Sequence, residues 1–115
     1  MTEPVQITPE HLRSRAQWIM DHGAPQAEGA NKTGILHVCA RVFTTLAEQW
    51  ETGQITQETV TNELAFFANR MSRYMTAKCT EQRTSAVMGV IAMAGRLNIN
   101  HVWLLTGHSP NESEQ

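Results

Sequence analysis

Residues 56–78 read TQETVTNELAFFANRMSRYMTAK, and the fold turns on whether this stretch makes one helix or two. Val60, Leu64, Phe67, Met71 and then Tyr74 or Met75 recur at the spacing of a single helix face, with no Gly or Pro between them. One amphipathic helix is therefore the first reading. The second places a tight turn at Ala65, Phe66 and Phe67 and divides the stretch into two short helices. Charge is concentrated here as well. Between Ala65 and Arg83, four cations (Arg70, Arg73, Lys78 and Arg83) stand against Glu81 alone, a local net of +3. That is the kind of patch a phosphate backbone attracts.

Outward from this segment the pattern is helical, with no convincing strand. On the N-terminal side, Thr8 is placed to cap a helix with Pro9 at its first position, and Leu12, Ala16 and Ile19 repeat at helical spacing until Gly23. GAPQAEGANKTG, residues 23–34, has three Gly, one Pro and no large apolar side chain; it reads as a linker and a domain boundary. Ile35, Val38, Val42, Leu46 and Trp50 then predict a helix that Gly53 ends. On the C-terminal side, Ser85 is expected to cap a helix carrying Val87, Val90, Ile91, Ala94 and Leu97, which stops near Asn98, a residue that tolerates the left-handed region. A last short helix, capped by Asn100 and stopped by Gly107, precedes the polar end HSPNESEQ.

Composition narrows the function classes. The 115 residues are 41% hydrophobic and 17% charged, the size and balance of one small domain. The net charge of −2 is unfavourable for nucleic acid, but the distribution is uneven, with Glu112 and Glu114 in a tail that has no Lys or Arg. Cys39 and Cys79 lie too far apart for a Cys-x-x-Cys site and are expected as reduced, packed thiols. His11, His22, His37, His101 and His108 have no metal-ligand spacing, Asp21 is the only Asp, and there is no phosphate loop or nucleophile elbow. No enzyme, cofactor or metal is expected. The start, MTEPVQITPEHL, lacks a leader pattern and no apolar run has membrane-span length, so the expected location is cytoplasmic.

The segment also resembles the helix-turn-helix of the lambda-repressor/Cro family of phage and bacterial regulators. That motif opens with apolar-Ser/Thr-Gln-Glu-x-apolar-Ala-x-x-apolar-Gly-apolar-Ser, which ITQETVTNELAFF (Ile55 to Phe67) follows in ungapped register, and ANRMSRYMTAK falls on the second helix. Downstream, AMAGRLNINHVWLLTG (Ala92 to Gly107) is similar to the family's closing helices. The resemblance spans Ile35 to Gly107, about two thirds of the chain. Three residues depart from the pattern: Thr61 stands where the family has Ala, Ala65 where it has the Gly of the turn, and Phe67 where it has a Ser or Thr cap.

The resemblance implies an all-α lambda-repressor-like domain of five to six helices at residues 35–107, with a helix and linker at 1–34 and a polar tail at 108–115. It implies a sequence-specific double-stranded DNA-binding regulator, of repressor and phage or mobile-element type. Ala68, Asn69 and Arg70 would face bases, Arg73 a base or a phosphate, and Gln57, Thr76 and Lys78 the backbone. Such motifs act in pairs, so a homodimer is expected. Leu12, Trp18 and Ile19 of the N-terminal helix, together with Val102, Trp103 and Leu105 of the last one, are the expected interface. Nothing after Gly107 is long enough for a self-cleaving domain, so release would come from a protein partner or antirepressor, or from turnover. The alternative is a helical adaptor or inhibitor that works through protein contacts, with Phe66, Met71 and Met75 as its anchors.

Overall fold

The computed structural model describes residues 7–23 and 30–106, with side chains from position 34 onward in the second segment. Among the described residues every regular element is helical. The helices are α1 (Pro9–Trp18, continued by a π-helical turn, Ile19–Gly23), α2 (Ala30–Glu51), α3 (Gln57–Thr76), α4 (Thr80–Arg96) and α5 (His101–Thr106). They fall into two units, residues 1–56 and 57–115. The boundary expected at Ile35 therefore lies inside α2. Residues 30–34, expected in the linker, already belong to that helix, while 24–29, Gly107 and the tail 108–115 lie outside the described residues.

In the first unit, the Thr8 hydroxyl caps α1 by accepting from the His11 N–H at 3.0 Å, with Pro9 at the start of the helix where its missing donor is harmless. Leu12, Ala16 and Ile19 are buried, and Ala16 and Ile19 form a cluster with Ala40, against which Leu36, Cys39 and Phe43 pack. The two helices run antiparallel: Arg13 near one end of α1 pairs with Glu51 at the far end of α2, and the chain at Gly23 meets Leu36. Val38, Val42 and Leu46, four residues apart, continue the buried stripe of α2. Gly53, at φ +80°, ends it as expected, with its N–H donating to the Trp50 carbonyl at 3.1 Å.

In the second unit, α3 runs unbroken from Gln57 to Thr76. The turn expected at Ala65, Phe66 and Phe67 is not formed, and with it the two-helix motif. The reasons lie in the departures from the motif. Ala65 has no glycine's access to positive φ but is the best helix former, and Phe67 has no oxygen with which to cap a new helix. Phe67 is instead buried with Val60, and Leu64, Met71 and Tyr74 extend that face half-buried, so a single helix covers the whole apolar stripe.

Residues 77–79 turn the chain into α4, which starts at Thr80 with Cys79 at its cap, where the sequence led to a cap at Ser85. Cys79 occupies the cap position without a side-chain bond, and the Gln82 amide oxygen accepts from the Lys78 N–H at 2.8 Å. This replaces the serine cap, leaving Ser85 exposed within the helix. The buried face of α4 is Ala86, Gly89, Val90, Met93 and Ala94, with Leu97 just beyond; Val87 and Ile91, expected in the core, are half-buried. Asn98 sits at φ 57°, the Ile99 N–H donates to the Ala94 carbonyl at 2.8 Å and the Asn98 N–H to the Gly95 carbonyl at 3.2 Å, closing α4 in a Schellman motif. Asn100 Oδ1 then caps α5, accepting from Val102 and Trp103 at 2.9 and 3.2 Å, and Leu104 is fully buried.

Candidate nucleic-acid interface

A continuous helix places the expected DNA-contacting residues differently from two short ones. At 100° per residue, Thr61, Asn62, Ala65, Ala68, Asn69, Ser72, Arg73 and Thr76 share one side of α3, and all eight are exposed. Ala68, Asn69, Arg73 and Thr76 of the expected set are thus together. Gln57 is exposed too, but about 16 Å further back along the axis from Ala68. No carboxylate interrupts this side between Glu58 and Thr76. Glu63 points away from it, to the Arg96 guanidinium of α4, which it binds through both oxygens at 2.9 and 3.1 Å. That hydrogen-bonded carboxylate holds Arg96 protonated even more firmly than an ordinary arginine.

Arg70 is the correction within the set. It is half-buried and lies across α4: a Cβ on Gly89 would come within 2.4 Å of its Nε. Its guanidinium stands over the Phe66 ring at 5.0 Å, while that of Arg96 stands over the same ring at 4.6 Å. Its Nε is buried without a hydrogen-bond partner. Arg70 therefore packs over Gly89 and Phe66, off the exposed side that Asn69 and Arg73 share. Phe66, expected as an anchor for a protein partner, is held by two guanidinia, and Met71 is half-buried; of the three expected anchors Met75 alone is exposed.

Arg73 and Thr76 meet Lys78, Gln82, Ser85 and Ala86 around an open groove of about 570 Å³ at the corner where α3 turns into α4. Three of the seven residues expected to contact DNA thus line one feature, and its lining has no acid. Gln82 and Ser85, neither of them among the contacts the motif resemblance implies, join the lining. The signal for Gln82 was its place three residues after Cys79, where a helix's own glutamine reaches back to the turn.

The expected dimer surface separates into two groups. Leu12 and Ile19 are buried in the core of their own unit, Ile19 in the cluster with Ala40 of α2. Trp18 is half-exposed, stacked on His22 with ring centres 5.4 Å apart and with Arg15 over its ring. Val102, Trp103 and Leu105 are half-buried around the buried Leu104. Burial also pushes the Cys39 thiol up to about 11, whereas Cys79, expected to be packed, is exposed because the cap position of α4 faces outward. No helix among the described residues is long and apolar enough to cross a membrane. Comparison with family models, curated proteins and solved structures finds no match.

Proposed function

We propose that this protein is a non-enzymatic regulator that binds double-stranded DNA along the exposed side of α3. The observation that carries the reading is that side's chemistry: Asn62, Asn69, Ser72, Arg73 and Thr76 alternate with the small Ala65 and Ala68, uninterrupted by a carboxylate, and lead to Lys78. An α-helix fits the major groove of B-DNA, small residues permit close approach, and asparagine and arginine are the side chains that read adenine and guanine edges in two-point contacts. The mode differs from the one the motif resemblance implies, because the helix lies along the groove through its middle and C-terminal turns. Two copies would raise affinity and specificity, and of the expected pairing surface Trp18 is the residue that stays well exposed, with Val102 and Leu105 half-buried.

The test is fluorescence anisotropy of the full chain with a random duplex and with the duplex flanking its own gene, at two salt concentrations. The reading expects binding that weakens steeply with salt, prefers the flanking duplex and is lost in Asn69→Asp/Arg73→Ala. Absence of binding at low salt sinks it. A second reading, an adaptor or inhibitor that binds a protein partner, is favoured by the exposure of Met75 and Met88, 58% and 56%. A partner captured by the parent chain and lost in Met75→Ser/Met88→Ser, with DNA binding absent, would establish that reading instead.

A further inference from the structure

The groove at the α3–α4 corner has the composition of a site for one anionic group. Arg73 and Lys78 line it together with Ser85, Ala86, Thr76, whose hydroxyl donates to the Ser72 carbonyl, and Gln82, whose amide oxygen accepts from the Lys78 N–H. Among the described residues neither cation is held in an ion pair, unlike Arg13 and Arg96, whose carboxylate partners are Glu51 and Glu63. The nearest acid along the chain, Glu81, is not part of the lining. An arginine supplies a fork of donors and a lysine a point charge, the pairing that holds tetrahedral oxyanions.

We infer that this groove binds a phosphate group, between Arg73 and Lys78. The phosphate comes either from the backbone of the duplex that α3 reads, in which case the inference rests on the DNA reading above, or from a free phosphorylated small molecule, in which case it does not. In the first form the groove fixes how far along the duplex α3 is seated, since a phosphate held at the corner sets the register of Asn69 against the bases.

The experiment uses the full chain and two variants that alter the groove without touching the buried face, Lys78→Ala/Ser85→Asp and, as a safeguard against misfolding of the double variant, Lys78→Ala alone. Pyrophosphate is titrated while the amide signals of residues 78–85 are followed, and a random 20-bp duplex is titrated by anisotropy at two salt concentrations. For a backbone phosphate, the double variant binds the duplex about tenfold more weakly and the slope of log affinity on log salt falls by about one, whereas Asn69→Ala leaves the slope unchanged. For a free phosphate, pyrophosphate saturably shifts the 78–85 amides in the parent and not in the double variant, and duplex affinity is the same in both. Parental duplex affinity and slope in both variants, together with unmoved amides, overturn the inference while leaving the DNA reading intact. Pyrophosphate binding without any duplex binding supports the groove and sinks the DNA reading.

Discussion

Substituting Gly89 by Ala should destabilise the protein, although Ala is the better helix former. An alanine inside a helix gains about 0.8–1 kcal/mol over glycine. At this position, however, the new Cβ would lie 2.4 Å from Arg70 Nε, 2.6 Å from Cδ and 2.9 Å from Cζ. Contacts this short with the middle of the side chain, and not its tip alone, force Arg70 off α4. Overpacking of this kind costs about 1–3 kcal/mol, and moving the guanidinium off Phe66 forfeits about 0.5–1 kcal/mol more. The net expectation is a loss of about 1 kcal/mol, a midpoint shift of roughly 0.5 M in urea unfolding followed by far-ultraviolet circular dichroism. The decisive comparison is with Arg70→Ala. In that background the clash has no partner, so Gly89→Ala should stabilise by about 1 kcal/mol, a coupling of roughly 2 kcal/mol between the two sites. Equal effects of Gly89→Ala in both backgrounds would refute the placement of Arg70 on α4 and return it to the surface.

Three further outcomes follow from the same structure. A thiol reagent at neutral pH should modify the exposed Cys79 much faster than the half-buried Cys39, as read by peptide mass. Because burial raises the Cys39 thiol from its ordinary 9.0 to about 11, the native state keeps that proton after the unfolded chain has released it. Its contribution is complete below pH 9 and is lost as pH climbs to about 11, so unfolding free energy relative to Cys39→Ala should fall by up to about 1.4 kcal/mol per pH unit in that window. Asn98, at φ 57°, should tolerate Gly with little change, whereas Asn98→Ala should cost about 1 kcal/mol in the same unfolding assay.

The local punctuation was legible before the structure: the Thr8 cap with Pro9, the stop at Gly53, the left-handed Asn98 and the Asn100 cap all depend on one residue and its immediate neighbours. What escaped the sequence depended on the chain meeting itself. Leu12 and Ile19 looked available to a second copy because nothing in α1 alone says that α2 covers them. Arg70 looked like a surface cation because only Gly89, nineteen positions away, makes room for it. The cap of α4 was misplaced by six residues, Ser85 for Cys79, since Ser85 offers an obvious hydroxyl and the bond actually used, from Lys78 N–H to Gln82, is a weaker signal. At Ala65 to Phe67 two kinds of reading conflicted. The ungapped motif register favoured a turn, while propensity and the apolar stripe favoured a helix, and the missing glycine settled the matter for the helix. Of the residues the motif resemblance implies, Asn69, Arg73 and Thr76 share an exposed side because one continuous helix carries positions that the motif places on a shorter one, while Lys78 lies beyond its end in the turn.

The measurement that tests the continuity of α3 most directly is the stability change on Ala65→Gly, the residue that the helix-turn-helix pattern asks for at this position. With α3 unbroken, glycine replaces alanine inside a helix on an exposed side, and urea unfolding should show a loss of about 1 kcal/mol. If the chain turned here at positive φ, the same substitution would relieve strain and stabilise by about 1 kcal/mol. A gain in stability would contradict the single helix, and with it the assignment of DNA contact to the side that Asn62, Asn69 and Arg73 share.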